Sequence, residues 1–315
     1  MALIIQKYGG TSVADIEKIR NVAKRVIKTA KEGHKTIVVV SAMAGETDRL
    51  IGLTYQMCKK PIGREYDSLI STGEQVSSAL MALAIQSMGF SAISFLGHQI
   101  KIITNEDFSK ARIKKIDSRR MLDALDHNKI VVIAGFQGVD KNNNITTLGR
   151  GGSDTTAVAL ASALKADICE IYTDVEGVYT TDPNVYDKAR KLKRISYDEM
   201  LEMASLGAKV LHIRSVEFAK KYNVIIHVRS TFSNKSGTIV CKEDKKMEKV
   251  TVSGVTYDKD EAKITISRIP DRPGIASLIF APISEAGIIV DMIIQNVGED
   301  GRASLTFTIS LFETV

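Results

Sequence analysis

The feature that most restricts the fold of this chain is a series of short apolar runs separated by amphipathic helical patterns. Residues 36–40 and 129–134 contain no alternating polar positions, which indicates strands that are buried on both faces. Between such runs, apolar residues recur at helical spacing, most clearly in residues 16–27 and 71–88. Buried strands that alternate with helices predict an α/β fold, a three-layer sandwich with a mainly parallel central sheet.

The same patterns assign the remaining elements in the first two-thirds of the chain. They predict strands at residues 3–5, 92–96, 168–172 and 224–228, and helices at residues 116–125, 155–164, 197–206 and 215–222. Because sheets of this kind bind ligands at the carboxyl ends of their strands, polar and glycine-rich segments that directly follow a strand become candidate site residues.

A change in composition near residue 240 predicts a second domain. We assign residues 1–240 to the first domain, 241–262 to a charged linker and 263–315 to the second domain. The second domain shows a β-α-β-β order, which is the start of a ferredoxin-like unit. The second helix and fourth strand of such a unit are absent, so we expect a partial domain, in which residues 311–315 have no evident place.

The composition excludes several classes of protein. The net charge of +6 is spread along the chain, without the interleaved aromatic residues of a nucleic-acid interface. No run approaches the ~18 apolar residues of a membrane-spanning helix, and no signal-peptide pattern is present. The histidines lack metal-binding spacing and suit surface or core positions. Cys58, Cys169 and Cys241 lie far apart, as free thiols in a reducing compartment do. We expect a cytoplasmic protein that acts on anionic small molecules, with neither nucleic acid nor membrane as partner.

The first candidate site segment, residues 7–12, follows the first strand and reads Lys-Tyr-Gly-Gly-Thr-Ser. Its two glycines allow a sharp turn that brings backbone N–H groups close to an anion. The next helix directs its positive end toward the same point, and Lys7 adds a charge suited to a phosphate. A plain glycine turn explains the segment equally well, and it matches neither the P-loop nor the GxGxxG pattern.

The second candidate segment, residues 149–156, reads Gly-Arg-Gly-Gly-Ser-Asp-Thr-Thr and opens a helix. Ser153 or Asp154 can cap that helix, but three glycines around one arginine exceed what a cap requires. Arg150 can hold a carboxylate through two parallel hydrogen bonds. An exposed arginine on a glycine-rich loop is the alternative.

Further candidates are weaker when taken singly. Residues 41–47 and 172–183 begin at strand ends and are turn-rich, which suits ligand loops. Glu74 stands at a helix start, where a glutamate more often serves the helix dipole than a ligand. Residues 140–144 begin like a calcium loop but lack its glycine and glutamate, so we interpret them as a hairpin turn.

Taken in this order, the segments resemble the aspartate kinases of the amino-acid kinase superfamily. The resemblance rests on residues 7–13, 41–43, 71–74, 135–138, 149–154 and 172–183. It continues through residues 269–274 and 291–296, which look like the regulatory ACT domain of that family, and it covers nearly the whole chain. Each motif alone is unspecific, whereas the combination is highly specific.

The resemblance implies the amino-acid kinase fold and transfer of the γ-phosphoryl group of ATP to the β-carboxylate of L-aspartate, the first step toward lysine, threonine and methionine. Mg²⁺ would be held mainly through the ATP phosphates, without a metal site made of protein ligands. The implied catalytic residues are Lys7, Asp154 and Lys209. The implied aspartate site consists of Ser41, Thr47, Glu74, Arg150, Gly151, Gly152 and Ser153. The implied ATP site consists of Lys7, Tyr8, Gly9, Gly10, Thr173, Asp174, Tyr179, Asp182 and Pro183.

The resemblance also implies regulation and assembly. An effector site for lysine or threonine would involve Asp271, Gly274, Ile275, Gln295 and Asn296. Family members usually carry two ACT modules, whereas here the second is missing and the first is incomplete, as in a truncated product or in a unit completed by another chain. Relatives form dimers or larger assemblies, so we expect a homo-oligomer.

Two alternatives stay open from the sequence. One is another member of the superfamily, such as an acetylglutamate, glutamate or uridylate kinase. The other is an inactive amino-acid-sensing subunit, although such a short regulatory chain would lack the N-terminal motifs that are intact here. Glu74 favours an acceptor with a free α-ammonium group, which supports the aspartate kinase hypothesis.

Overall fold

The computed structural model describes residues 1–208, 210–243, 253–257, 259–286, 288, 290–297 and 302–310. The chain forms two compact units, Met1–Thr256 and Tyr257–Val315. The predicted boundaries at residues 240 and 263 stay a prediction. Part of the linker between them lies outside the described residues, and so do residues 311–315.

The first unit alternates strands and helices along most of its length. Its strands are β1 (Leu3–Tyr8), β2 (Lys35–Val40), β3 (Ala92–Phe95), β4 (Ile103–Thr104), β5 (Ile113–Lys115), β6 (Ile130–Ala134), β7 (Gln137–Val139), β8 (Ile145–Thr147), β9 (Ile168–Thr173), β10 (Arg194–Ser196), β11 (Ile226–Ser230) and β12 (Thr238–Cys241). Its helices are α1 (Ile16–Lys31), α2 (Glu46–Met57), α3 (Arg64–Ile70), α4 (Thr72–Ser87), α5 (Arg119–Asp126), α6 (Gly152–Leu164), α7 (Tyr197–Ser205) and α8 (Ile213–Tyr222). None of the described helices is both long and apolar enough to cross a membrane.

The large sheet of the first unit has eight strands in the order β10-β12-β11-β9-β1-β2-β6-β3. Within the described residues its pairs are parallel except for β11 with β12. Helices cover both faces because successive side chains of a buried strand point to opposite sides. From β1, Ile5 belongs to a core with α5 to α8, and Tyr8 belongs to a core with α1 and α4. The predicted three-layer sandwich with a mainly parallel sheet is confirmed.

A small sheet with the order β5-β4-β7-β8 lies in segments for which the patterns predicted only a turn. Strands of two or three residues are too short to show a period, and the helices α2 and α3 were also not predicted. The predicted turn at residues 140–144 does join β7 to β8. There the Asp140 carboxylate accepts hydrogen bonds from the backbone N–H groups of Asn142 and Asn144, both at 2.8 Å.

The strand registers place several loops at one edge of the large sheet. Tyr8 lies opposite Val40 of β2 and opposite Tyr172 of β9, and Tyr172 lies opposite Arg229 of β11. The segments that follow these four residues therefore leave the sheet side by side, at the edge where parallel sheets bind their ligands.

The second unit has the predicted β-α-β-β order. Its elements are β13 (Glu261–Pro270), α9 (Ile275–Glu285), β14 (Val290–Val297) and β15 (Arg302–Ser310). The three strands form an antiparallel sheet in the order β13-β15-β14. The central strand carries the buried apolar residues Leu305, Phe307 and Ile309, which agrees with the expected partial ferredoxin-like unit.

Candidate active site

A cavity of about 720 Å³ opens at the carboxyl ends of β1 and β2, beside the start of α6. Two segments that are far apart in the chain meet there: residues 7–12, here called the glycine turn, and residues 149–154, the arginine turn. The predicted site residues that line the cavity are Lys7, Gly10, Ser41, Thr47, Glu74, Arg150, Gly151, Gly152, Ser153 and Asp154. The fold thus brings together the residues predicted for the acceptor and those predicted for the phosphates.

Lys7 and Asp154 form the ionic centre of this cavity. The Nζ atom of Lys7 lies 2.5 Å from Oδ1 of Asp154, and the two side chains are only 11% and 12% exposed. Water and salt screen such a pair less than a surface pair. Asp154 stands in the first turn of α6, where the helix dipole favours a carboxylate. The pair therefore holds the ammonium group of Lys7 where it can face a phosphate.

Glu74 contributes a buried carboxylate from the first turn of α4 and is 3% exposed. Its Oε1 accepts a hydrogen bond from the backbone N–H of Ala42 at 3.0 Å, and its Oε2 has no hydrogen-bond partner among the described residues. Burial raises the pKa of Glu74 to about 7, against the opposing effects of the Ala42 bond and the charge of Lys7. A buried carboxylate oxygen without a partner in a cavity wall is an acceptor for a cationic group of a ligand.

The arginine turn requires glycine at position 151. Gly151 has a φ of +66°, in the left-handed region that favours glycine. A Cβ atom there would lie 2.2 Å from Cβ of His212. Arg150 itself is exposed and lines the cavity, so its guanidinium group can pair with an entering carboxylate.

His212 lies beside the arginine turn. No spacing of residues in the sequence indicated this position. It caps α8 by accepting a hydrogen bond from the backbone N–H of Arg214 at 3.4 Å. Burial lowers the pKa of His212, Asp154 opposes that effect, and Arg214 and Arg150 lower it further. The sequence predicted only a surface or core position for His212. It did not indicate that His212 lies next to Asp154 and Arg150.

The residues predicted for the adenosine end lie on the segment that follows β9. Thr173 ends that strand and its hydroxyl donates to the Asp174 carboxylate at 3.0 Å. Tyr179 is half-buried, whereas Asp174, Asp182 and Pro183 are exposed. None of the five lines the cavity of the two turns. Their role in nucleotide binding stays a prediction.

Three predicted residues of the kinase site need a separate account. Tyr8 is fully buried and stacks on Tyr172, with ring centroids 4.6 Å apart, because it alternates with Lys7 along β1 and points to the opposite face. The side chain of Tyr8 therefore belongs to the core, and a place for Tyr8 in the ATP site stays a prediction. The backbone N–H of Gly9 donates to the carbonyl of Tyr172 at 3.3 Å, not into the cavity. Lys209 lies outside the described residues.

A second buried ionic group, which the sequence did not reveal, lies under the strand ends on the face covered by α1. The Glu170 carboxylate accepts hydrogen bonds from Gln6 at 2.8 Å, Arg229 at 2.9 Å and the Tyr172 hydroxyl at 3.0 Å. Burial by itself raises the pKa of Glu170, but its hydrogen-bonding neighbours lower it to about 2. The group joins β1, β9 and β11 next to the points where their loops begin.

Other residues of the cavity were also not predicted. Tyr66 and Ile70 reach it from α3, and Ser109 and Phe136 reach it from loops. Phe136 has a φ of +68°, an unusual value for a bulky residue and one that often accompanies a functional site. A signal was available for Phe136, since residues 135–138 belong to the family pattern, but for the others no local pattern exists.

The second unit contains its own cavity of about 400 Å³, beside the end of β13 and the start of α9. Four of the predicted effector residues line it, namely Asp271, Gly274, Ile275 and Gln295, and Gln295 donates to the Asp271 carboxylate at 3.2 Å. Asn296 does not line this cavity, because it alternates with Gln295 along β14 and points to the other face of the sheet. The role of Asn296 in effector binding stays a prediction.

Comparison with known proteins identifies what the chain is similar to. Residues 2–230 match the model of the amino acid kinase family. The aspartokinase of Pseudomonas aeruginosa is 54% identical over 311 residues, which are 98% of this chain and 76% of that protein. The chain therefore spans about three quarters of the length of this relative.

Solved structures give the same result. The aspartate kinase of Synechocystis is 45% identical with a TM-score of 0.71, and the match covers 98% of this chain and 52% of that one, so the chain spans about half of its length. Aspartokinase III of E. coli in complex with aspartate and ADP is 26% identical with a TM-score of 0.81, over 98% of this chain and 78% of that one. The same enzyme in complex with lysine and aspartate is 25% identical with a TM-score of 0.82. That match covers 99% of this chain and 80% of the other one.

Proposed function

This chain belongs to the amino acid kinase family and, within it, to the aspartate kinases, and from that premise we propose that it transfers the γ-phosphoryl group of ATP to the side-chain carboxylate of L-aspartate. One observation carries the proposal: a single cavity contains Lys7, Glu74 and Arg150. These residues offer a cation for a phosphate, a carboxylate for an α-ammonium group and a guanidinium for an α-carboxylate.

The reaction needs little acid–base chemistry. A side-chain carboxylate with a pKa of about 3.9 is already ionised at neutral pH and can attack without a general base. A carboxylate oxygen forms a bond to the γ-phosphorus, the bond from that phosphorus to the β,γ-bridging oxygen breaks, and ADP leaves with the electron pair. The products are 4-phospho-L-aspartate and ADP.

The main obstacle is the repulsion between the acceptor carboxylate and the triphosphate. Lys7 reduces it by placing a positive charge next to the transferring group, as electrostatic catalysis of phosphoryl transfer requires. Asp154 orients Lys7 through their 2.5 Å ion pair. Lys209 stays a predicted additional cation near the nucleotide.

The acceptor is oriented by groups at the other end of the cavity. Arg150 binds the α-carboxylate and Glu74 binds the α-ammonium, so that the side-chain carboxylate points toward Lys7. Ser41, Thr47 and the segment of Gly151, Gly152 and Ser153 complete the pocket around the acceptor.

The nucleotide enters from the side of β9. We expect its adenosine part to be surrounded by Thr173, Asp174, Tyr179, Asp182 and Pro183. We expect its phosphates to lie next to Gly10, which lines the cavity. A Mg²⁺ ion held mainly through the phosphates of ATP stays a prediction. When bound, Mg²⁺ neutralises part of the phosphate charge.

The proposal is tested by trapping the acyl phosphate with hydroxylamine after incubation with ATP, Mg²⁺ and an acceptor. We expect a hydroxamate with L-aspartate and little with N-acetylglutamate, since Glu74 selects a free α-ammonium group. With UMP, we expect no ADP release above background. A hydroxamate from acetylglutamate alone, or turnover with UMP alone, would indicate another kinase of the family. No turnover with any acceptor would support the sensing-subunit alternative.

The cavity of the second unit favours an additional binding function. Its residues Asp271 and Gln295 can bind the ammonium and carboxylate groups of a free amino acid, and lysine and threonine are the predicted effectors. Calorimetric titration of the full chain with both amino acids tests this, with Gln295→Ala as the variant and Asn296→Ala as the matched control on the same strand. If Gln295→Ala and Asn296→Ala weaken binding equally, the assignment of this cavity is contradicted.

A cytoplasmic location and a homo-oligomeric state stay predictions.

A further inference from the structure

Helix α3 places a fully buried carboxylate behind the arginine turn. Asp67 is 0% exposed. Its Oδ2 accepts hydrogen bonds from the backbone N–H of Thr147 at 2.6 Å and of Ser109 at 2.9 Å, and its Oδ1 accepts one from the Ser109 hydroxyl at 3.0 Å. One side chain thus ties α3 to the end of β8 and to the loop around Ser109.

Both of these segments are joined to the arginine turn, β8 by the chain itself and the Ser109 loop by contact with Gly149. Thr147 ends β8, three positions before Arg150. Gly149 packs against the loop: it has a φ of +74°, and a Cβ atom there would lie 2.8 Å from the carbonyl oxygen of Ser109. The carbonyl of Thr147 also accepts a hydrogen bond from the backbone N–H of Ala111 at 2.9 Å. A displacement of Ser109 or Thr147 therefore moves the arginine turn.

Arg214 holds the same pair of segments from the side of α8. Its guanidinium group donates to the carbonyl of Ala111 at 2.9 Å and to the carbonyl of Leu148. The turn is thus fixed by a buried carboxylate that accepts from backbone N–H groups and by an arginine that donates to backbone carbonyls. Asp67 is not among the residues that line the cavity, so its effect on a ligand must be indirect.

We propose that Asp67 is a positioning residue for acceptor binding: it fixes the backbone that presents Arg150, and thereby sets the affinity for the α-carboxylate of the amino acid. This inference rests on the proposed function, because it takes Arg150 as the group that binds that carboxylate. The contacts of Asp67 are all on the acceptor side of the cavity, so the binding of ATP depends little on it.

The test is the steady-state kinetics of the full chain with L-aspartate and ATP varied in turn. Asp67→Ala leaves two buried N–H groups without their acceptor and frees the turn to move, so we expect the KM for aspartate to rise about tenfold or more. The KM for ATP should stay within about twofold of wild type.

Asp67→Asn is the rescue variant. The amide oxygen of asparagine can accept from both backbone N–H groups, and its NH₂ group can donate to the Ser109 hydroxyl. We therefore expect its KM for aspartate to be close to that of wild type although the charge is lost. If Asp67→Ala does not fold, Asp67→Glu replaces it, since the longer side chain displaces both oxygens and should raise the same KM.

A matched control lies at the other end of the hairpin formed by β7 and β8. Asp140 is also buried, at 2% exposed, and also holds backbone N–H groups, but at the turn distant from Arg150. Asp140→Ala should lower the Tm, as Asp67→Ala does, and leave the KM for aspartate unchanged. An equal rise of this KM in both variants would show a general effect of hairpin stability and overturn the proposal.

Arg150→Ala separates failure of this inference from failure of the proposed function. If Arg150→Ala raises the KM for aspartate while Asp67→Ala and Asp67→Glu leave it at the wild-type value, the role of Asp67 is overturned and the proposed function stands. If Arg150→Ala has no effect on this KM, the assignment of the acceptor site fails, and the role of Asp67 fails with it.

Discussion

The proposed active site has an amino-acid end around Glu74 and Arg150 and a nucleotide end on the segment after β9, and the two ends differ in how their buried charges are paired. At the amino-acid end, Glu74 is buried with one carboxylate oxygen that has no partner among the described residues, in the wall of a formed cavity. At the nucleotide end, the predicted ligand residues lie on a largely exposed segment. The buried carboxylate there, Glu170, is paired with the half-buried Arg229 under the strand ends.

Because of this difference, the charges at one end mainly affect ligand binding, and the charges at the other end mainly affect the stability of the fold. A buried carboxylate that lacks a partner destabilises the empty protein and gains a partner only when a cationic group binds. A buried carboxylate that is paired with an arginine destabilises the protein when the pair is broken. Changes to the side chains that face the acceptor, Glu74 and Arg150, should therefore alter ligand binding at little cost in stability. Changes to the paired charges beneath the nucleotide end should lower stability and alter ligand binding little.

The largest effect is expected at the point where the two ends meet. Lys7→Ala should lower kcat about 10²–10³-fold, because one preorganised charge next to the transferring phosphoryl group is lost. Its Tm should fall by several degrees while the fold is retained, because the largely buried Asp154 carboxylate loses its partner. The coupled assay of ADP release measures this, with Lys35→Ala as a control, since Lys35 pairs with Asp126 at the opposite end of β2. A kcat near wild type for Lys7→Ala would remove Lys7 from the mechanism.

The next largest effect is expected for Arg150→Ala, at the amino-acid end. Loss of a charge-assisted, two-point contact should raise the KM for aspartate about 10- to 100-fold. The KM for ATP should not change, and the Tm should stay close to wild type because Arg150 is exposed. A parallel rise of both KM values would contradict the separation of the two ends.

Glu74 should make aspartate binding depend on pH. Its pKa of about 7 in the empty site means that binding an ammonium group below this pH first requires loss of a proton. The KM for aspartate should therefore rise about tenfold for each pH unit below that pKa, and level off above it. The KM for ATP, measured over the same pH series, serves as the control. A flat profile for aspartate would show that Glu74 does not bind the ammonium group.

Glu74 should also lower the stability of the folded protein above its pKa. Because its folded-state pKa is raised from 4.5 to about 7, Glu74 stabilises the fold most below pH 4.5, and this contribution is lost as the pH rises through about 7. At a pH of about 8, Glu74→Gln should therefore raise the Tm while it weakens aspartate binding. Thermal unfolding of both proteins across the pH range provides the measurement, and a lower Tm for the variant would contradict the expectation.

The smallest effect on activity is expected for Glu170→Gln, beneath the nucleotide end. It leaves the Arg229 guanidinium without its carboxylate and should lower the Tm by several degrees. The KM for ATP should rise only a few-fold, through displaced strand ends, and the KM for aspartate should not change. The double variant Glu170→Gln with Arg229→Gln should recover part of the lost Tm. If the Tm of the double variant falls below that of Glu170→Gln, the unpaired charge of Arg229 is not the cause of the lower Tm.

Much of the fold followed from the local patterns. Continuous apolar runs predicted the central strands, and long amphipathic patterns predicted α1 and α4, because burial on one or two faces leaves a period in the sequence. The short strands of the small sheet and α3 were missed, since a few residues cannot display a period. The match to the amino acid kinase family confirms the resemblance on which the site assignments were based.

The site was predicted only in part, for a similar reason. Residues in glycine-rich turns, such as Lys7 and Arg150, carry a local signal. Asp67 and Glu170 carry none, because a carboxylate in a helix or strand is usually solvated and only its neighbours in space show that it is buried. The alternation along β1 also separates Tyr8 from Lys7, although the two are adjacent in the family motif.

By itself, the sequence determined the class of fold, the family and the two glycine-bearing turns, since these depend on residue types at short spacing. Only the tertiary structure decided that the turns share one cavity, that Glu74 is buried there with an oxygen left for a ligand, and that Asp67 supports the backbone behind Arg150. These properties depend on distances between segments far apart in the chain, which strand order and packing set.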